Sequence, residues 1–510
     1  MAVDRTLPTP EAHNLIDLVR QVADKVLDPV VDRHEREHSY ADGIFQTLGE
    51  AGLLSLPQPT EWGGGEQPFA VYLQVLEELA ARWAAVAVAV GVHSLACHPM
   101  LTFGTGDQRQ RWLPEMLGGE TIGAYSLSEP DGGSDAAALR CQAEKTSNGY
   151  RISGTKAWIT HGGIADFYTL FARTAPGSRG ISCFLVPGGV AGLTFGPPED
   201  KMGLNGVPTT TAFYDDVELG DHRRISDEGQ GLHIAFSALD SGRLGIAAVA
   251  VGIAQAALDA AASYAQECTA FGRKIIDHQG LGFVLADMAA ATDSARATYL
   301  DAARRRDAGR PYSRGASVAK LVATDAAMKV TTDAVQVFGG YGYTREYRVE
   351  RFMREAKITQ TPRADLRRHQ PNSTSRDQPS AQRCRARSMR GNHSMLTSSG
   401  SAGNARSCCR VSTGRGPARR NTGLRFLGTN TSRMQYNLER APAAGGGRAV
   451  GQHQRGREHG VASKSVQIRR ANAHRSHPGG LVPVPCGTTV YEANECGMVT
   501  GSARLMITTV

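Results

Sequence analysis

The chain has 510 residues, 41% of them hydrophobic, and a formal charge of +8. That length allows two to four domains around a large core, and no unbroken apolar run approaches the roughly 18 residues of a membrane span. The first residues lack a basic flank followed by an apolar stretch, which points to a cytoplasmic protein without a signal peptide. The nine cysteines have no spacing suited to a disulfide framework or to a zinc site, so no metal is expected.

In chain order, Leu15, Leu18, Val19, Val22, Val26 and Val30 recur at the spacing of an amphipathic helix. Helical pattern returns over 69–88 and 108–116, closing at Gly118 and Gly119. From about 121, short β-type runs at 150–152, 167–172, 181–186 and 209–214 are separated by Gly, Pro and Asn, as in an antiparallel sheet. From 232 the pattern is helical again: one long Ala-rich helix to about 264, then 280–306, 316–337 and a shorter helix over 346–357. The reading is an α+β protein with an N-terminal helical domain (1–120), a central antiparallel β-domain (121–230) and a C-terminal helical bundle (231–363).

Charge then breaks sharply. From Ala364 onward 23 Lys and Arg face 6 Asp and Glu, and all but Lys464 of those cations are arginine; residues 1–363 hold 34 basic and 43 acidic side chains. The basic segment, 364–510, is aperiodic and nearly free of aromatics, so it cannot bury enough apolar surface to offset its ordering entropy, and disorder is expected there.

The most informative stretch is Ala124-Tyr-Ser-Leu-Ser-Glu-Pro-Asp-Gly-Gly-Ser-Asp135. Gly132 and Gly133 let backbone amides approach a ligand, with the Ser128 and Ser134 hydroxyls beside them. Taken alone it reads equally well as a polar hairpin loop. Further on, Lys156-Ala-Trp-Ile-Thr160 sets a Trp beside a hydroxyl, either as core packing or as the wall for a flat ring. A third stretch is Gln336-x-x-Gly-Gly-x-Gly-Tyr343, continuing through Glu346 and Arg351 to Glu355. No G-x-G-x-x-G follows a strand, so a Rossmann cofactor domain is not supported.

Together these stretches resemble the two signatures of the acyl-CoA dehydrogenase family, over about 350 residues. Phe103-Gly-Thr, Gln108 and Trp112-Leu-Pro add a likeness to its N-terminal domain. The resemblance implies a helical, β, helical fold that binds FAD between the β-domain and the bundle. In it, Tyr125, Ser126, Leu127, Ser128, Glu129, Pro130, Asp131, Gly132, Gly133 and Ser134 hold the flavin ring and ribityl chain together with Trp158, Ile159 and Thr160. Ser134 also touches the CoA portion of the substrate, and Asp240 and Arg243 match a substrate-contacting pair. Phe271, His278 and Gln279 match a dinucleotide segment. Gln336, Val337, Phe338, Gly339 and Gly340 would bind the FAD of a neighbouring subunit, so a homodimer or homotetramer is implied. The implied reaction oxidises an acyl-CoA to the 2-enoyl-CoA, in the service of fatty acid metabolism, and passes electrons to an electron-transfer flavoprotein. An oxidase of the same fold and a non-catalytic product are the other classes open.

Two departures from the family stand out. Cys268 occupies a place where an arginine usually pairs with the FAD pyrophosphate, and a thiol, read here as a small buried hydrophobe, cannot make that bidentate contact. The reaction also needs a carboxylate to remove the proton α to the thioester while hydride leaves the β carbon. The family supplies it from a Glu-Gly-Thr motif a few residues past the helix that ends at Gln360, or, in a minority branch, from the position of Gly242. Here the chain reads Thr361-Pro-Arg-Ala-Asp-Leu-Arg-Arg-His, so no catalytic carboxylate is assigned. Nothing in the sequence specifies a geometry for nearby Asp365.

Residues 365–379 explain the loss. Back-translated with free choice of synonymous codons and read one nucleotide later, they can spell Ile-Phe-Glu-Gly-Thr-Asn-Gln-Ile followed by Gln-Arg-Leu-Val-Ile-Ser-Arg. That is the family's catalytic motif and the start of its last helix, so the tail reads as out of frame. The alternative, a basic arm binding nucleic acid, lacks regularly spaced stacking aromatics and any RNA-binding motif.

Overall fold

Thr9 starts the first helix, α1 (Pro10–Val22), by accepting the Ala12 amide at 3.2 Å, with Pro10 in the position where a missing N–H costs nothing. The computed structural model describes residues 3–361; the basic segment, with the disorder expected of it and Asp365, lies outside the described residues. The expected first helix does not run unbroken to Val30. A π-type turn (Ala23–Leu27) intervenes before α2 (Val31–Glu37), and it keeps both Ala23 and Leu27 buried. After α3 (Ile44–Glu50), the single helix expected over 69–88 is instead two, α4 (Phe69–Arg82) and α5 (Ala84–Phe103), broken at the extended and fully buried Trp83. The pattern over 89–103 was missed because α5 is apolar on nearly every side and shows no stripe. A reciprocal cap between Thr105 and Gln108 starts α6 (Gly106–Leu117).

The strands follow: β1 (Gly123–Ser126), β2 (Gln142–Lys145), β3 (Gly149–Thr160), β4 (Phe167–Arg173), β5 (Ile181–Pro187), β6 (Leu193–Phe195), β7 (Thr209–Gly220) and β8 (Arg224–Ile225). They form one sheet in the order β6-β7-β3-β2-β4-β5-β8, with β1 added against β4. It is not wholly antiparallel as expected. β1 runs parallel to β4, Gly123 opposite Phe167, and β2 meets β4 in parallel at Gln142 and Arg173. Local turn residues report only sequential hairpins, so these non-sequential partners left no trace in the sequence. Both faces of β4 are covered: Phe167 and Phe171 pack toward α5 and α6, while Tyr168, Leu170 and Ala172 join Phe184 and Tyr214 on the other side.

The remaining helices are α7 (Gly231–Glu267), α8 (Gln279–Asp307), α9 (Ser313–Phe338) and α10 (Val349–Gln360), with a small hairpin, β9 (Thr269–Ala270) and β10 (Arg273–Lys274), between α7 and α8. Small residues let α7 press against its neighbours. A Cβ on Gly252 would stand 2.4 Å from the Glu77 carbonyl oxygen and 2.8 Å from the Ala80 Cβ, so only glycine permits this crossing with α4. Contrary to the count of unbroken apolar residues, α5 and α7 are each long and apolar enough to cross a bilayer by length and composition; most of each apolar window is buried inside the protein.

Candidate active site

The first signature leaves β1 and folds into a tight loop, bridged between Glu129 and Gly132. A buried ion pair holds it. Lys156 Nζ, fully withdrawn from solvent on β3, lies 2.9 Å from Glu129 Oε1 and donates to the Leu127 carbonyl at 3.0 Å. The Glu129 carboxylate also accepts the Arg140 and Cys141 amides at 2.6 and 2.9 Å. Burial alone would raise its pKa, but Lys156 and these amides outweigh burial and hold it below the usual carboxylate range.

β3 carries the other half of the site. Its register against β7 slips between Lys156 and Ile159, and within that bulge Trp158 adopts φ +62° with 63% of its surface exposed. A large aromatic held in the left-handed region and pushed outward is displayed, not packed. The two halves are joined by the Ala157 amide, which donates to the Ser128 carbonyl at 2.9 Å.

Between them lies a cavity of about 190 Å³ lined by Tyr125, Leu127, Ser128 and Ala157 to Thr160, with Val92 and Leu95 from α5 and Leu239 from α7. The Tyr125 hydroxyl donates to the Ala235 carbonyl of α7 at 3.3 Å, and its burial pushes its pKa well up. Asp240 follows Leu239 directly and forms an ion pair with Arg243 one turn on. A Cβ on Gly242 would stand 3.2 Å from Leu95 Cδ1, so that position borders the same cavity wall.

Not every residue expected of the cofactor site points into it. The Ser126 hydroxyl is buried and hydrogen-bonded to the Tyr214 hydroxyl at 3.0 Å, and the Glu129 carboxylate is spent on the loop itself. Pro130, Asp131 and Ser134 are exposed, with Asp131 paired to Arg140 at 3.2 Å. Val337 and Phe338 are buried, Phe338 stacking on Tyr264 at 4.1 Å between ring centroids, so their side chains belong to the bundle core. Gln336, Gly339, Gly340 and Gln279 are exposed, as is Phe271, 88% exposed with φ +54° and its ring edge toward His278. Cys268 is half-buried at the end of α7, not fully buried as expected.

The second signature is far from the first. Leu239 lines the cavity and Tyr264 stacks on Phe338, and both belong to α7. They stand 25 positions apart, a helical rise of ~37 Å at ~1.5 Å per residue. The cavity-lining Val92, Leu95, Ala157 and Leu239 went unread in the sequence, because an apolar residue facing a ligand has the same signature as one facing the core.

The acyl-CoA dehydrogenase N-terminal domain matches residues 9–120, the middle domain 124–217 and the C-terminal domain 229–363. That succession defines a flavoprotein oxidoreductase built from helical, β and helical parts. An acyl-CoA dehydrogenase of Bacillus subtilis is 41% identical over 355 residues, spanning 69% of this chain and 94% of the relative. Butyryl-CoA dehydrogenase from Megasphaera elsdenii superposes with a TM-score of 0.69 at 37% identity, covering 71% of this chain and 96% of that one. A chain in a structure of the electron transferring flavoprotein of Acidaminococcus fermentans gives a TM-score of 0.69 at 40% identity, covering 70% and 95%. The chain belongs to the acyl-CoA dehydrogenase family, whose members are FAD-dependent enzymes.

Proposed function

We propose that this chain keeps the FAD and acyl-CoA sites of a short-chain acyl-CoA dehydrogenase and, as written, has lost its catalytic base. The observation that carries the first half is the convergence of Tyr125, Leu127, Ser128 and Trp158 to Thr160 on one cavity with leucines of α5 and α7. These residues suit a flavin: an outward-facing indole and apolar walls for a flat ring, hydroxyls for its polar edge, and at Gly133 open backbone with nothing within 4 Å of where a Cβ would stand. When bound, FAD accepts the hydride equivalent released from the acyl chain. The protein's own part is to hold the two reactants face to face, exclude water, and position the acyl-CoA through Asp240, Arg243 and Ser134.

The short-chain assignment rests on the likeness to butyryl-CoA dehydrogenase, and electron-transfer flavoprotein as the acceptor on the second likeness. A subunit contact rests on the length of α7. Gln336, Gly339 and Gly340 lie too far from Trp158 to share one flavin within a chain, so two copies are needed to complete each site. A cytoplasmic setting and a role in fatty acid metabolism fit the same reading.

The second half rests on Gly242 and on the sequence after Gln360, neither of which supplies a glutamate. The shifted reading of residues 365–379 accounts for this by a short insertion that displaced the frame. Sequencing codons 358–380 tests it. The expected result is an open frame one base later encoding Glu-Gly-Thr-Asn-Gln; a stop codon or unrelated residues there would sink the idea. The same-fold oxidase reading is tested by oxygen: rapid reoxidation of reduced enzyme by oxygen alone would support it.

A further inference from the structure

Gly123 directly precedes the stretch of the first signature that opens at Ala124, and both of its backbone polar groups are held by imidazoles. Its amide donates to His93 Nδ1 at 3.0 Å, and its carbonyl faces His161 Nδ1 at 2.9 Å. Both rings are fully buried. An amide must meet an acceptor and a carbonyl a donor, so these contacts assign the protons: His93 carries its hydrogen on Nε2, and His161 carries its hydrogen on Nδ1. His93 Nε2 turns toward the Cys97 thiol at 3.6 Å and the Met116 carbonyl. His161 Nε2 is buried with no hydrogen-bond partner among the described residues. Both imidazoles are therefore neutral, one accepting and one donating, on opposite ends of one residue.

The location gives this arrangement its meaning. His161 follows Thr160 directly, so it terminates the strand that displays Trp158, Ile159 and Thr160; Gly123 opens the strand that delivers Tyr125, Leu127 and Ser128. The His161 to Gly123 hydrogen bond thus joins the two strands that carry the cavity walls a second time, in addition to the Ala157 to Ser128 bond. Gly123 has no room for another solution: a Cβ there would stand 2.4 Å from the Phe167 ring and 2.9 Å from the Ala96 Cβ. His161 also sits at φ +65°, a conformation unfavourable for a non-glycine residue and kept only when its surroundings demand it.

We propose that His93 and His161 are positioning residues that clamp Gly123 and so set the separation of the two cavity walls that receive the flavin. This rests on the flavin reading of the cavity. His161→Leu removes the donor, and His161→Asn restores an N–H on a side chain that tolerates the left-handed backbone. The full chain and both variants would be compared by hydrogen exchange over residues 121–127 and by FAD titration of the apoprotein with the flavin spectrum recorded. The clamp predicts faster exchange, about ten-fold weaker FAD binding and an altered spectrum in His161→Leu, with His161→Asn close to wild type. Should His161→Leu fail to fold, His161→Gly serves, since glycine accepts the φ of +65° without strain and offers no side-chain donor to the Gly123 carbonyl. A chain that takes up no FAD in any form overturns the flavin reading, and the exchange comparison then decides the clamp alone. Unchanged exchange in His161→Leu, or faster exchange with FAD affinity and spectrum unmoved, overturns the positioning role.

Discussion

Lys156 and Glu129 meet 2.9 Å apart beneath the first signature, the ammonium fully buried and the carboxylate nearly so. The sequence pattern points to Glu129 as a cofactor contact, but in the structure its carboxylate works inside the loop. It gathers Lys156 and two amides, so the loop is shaped before any ligand arrives. Removing one partner of a buried ion pair costs about 3–5 kcal/mol, because the other charge is left unpaired. Glu129→Ala should lower stability by about that amount in urea denaturation, and Glu129→Gln, which keeps an acceptor for the amides, by less. A loss under about 1 kcal/mol would show that the pair is not buried in solution.

Trp158 is displayed on a bulge at a backbone angle that strains it. If its ring forms a wall of the flavin site, Trp158→Ala should weaken FAD retention and perturb the flavin absorbance spectrum, with little loss of stability because the side chain is mostly exposed. A folded variant with unchanged FAD content and spectrum contradicts the assignment.

How much of this was legible beforehand depended on the kind of signal. The runs at 167 and 181 are short apolar stretches of β-branched and aromatic residues bounded by turn residues, the helices from 232 onward carry a helical pattern, and both lie close to where the strands and helices fall. The loop from Tyr125 to Ser134 was legible as chemistry, since glycines and hydroxyls crowd there. Which of its side chains face inward was not: the Ser126 to Tyr214 bond joins residues 88 apart in sequence, and no local pattern encodes such a partner. The His93 to Gly123 to His161 arrangement was invisible for the same reason.

Cys268 caps α7 and leads into the β9–β10 hairpin, half-buried. A charge-assisted hydrogen bond to a phosphate is worth roughly 1.5–3 kcal/mol, so Cys268→Arg should tighten FAD binding by about ten-fold or more. Titration of apoprotein that shows no gain would mean this segment does not face the pyrophosphate.

Burial, and for His93 also the neighbouring His161, pushes the two imidazoles down to about 3 and about 4. Their folded values lie below the unfolded value near 6.5, so the unfolded chain binds protons that the folded one excludes. The resulting stability is present above about pH 6.5 and declines as pH falls toward the folded values, by about 1.4 kcal/mol per pH unit for each ring. His98, pushed down by burial to about 4, adds a third such ring, so denaturant melts at pH 7 and pH 5 should show the summed loss and His161→Asn a loss smaller by roughly one third of the histidine contribution. An identical slope in the variant contradicts the assignment of neutral, buried rings.

The proposed loss of the catalytic base predicts the largest effect on activity. A positioned general base contributes roughly 10²–10⁴-fold, and the α-proton of a thioester does not leave at a useful rate unaided. The most direct measurement is anaerobic mixing of the FAD-loaded chain with butyryl-CoA, following bleaching of the flavin, for the chain as written and for a repaired chain in which Ile-Phe-Glu-Gly-Thr-Asn-Gln follows Gln360. The account predicts rapid bleaching in the repaired chain and bleaching slower by at least about 10²-fold in the unrepaired one. Rapid bleaching by the unrepaired chain would show that another residue serves as base and would contradict the account.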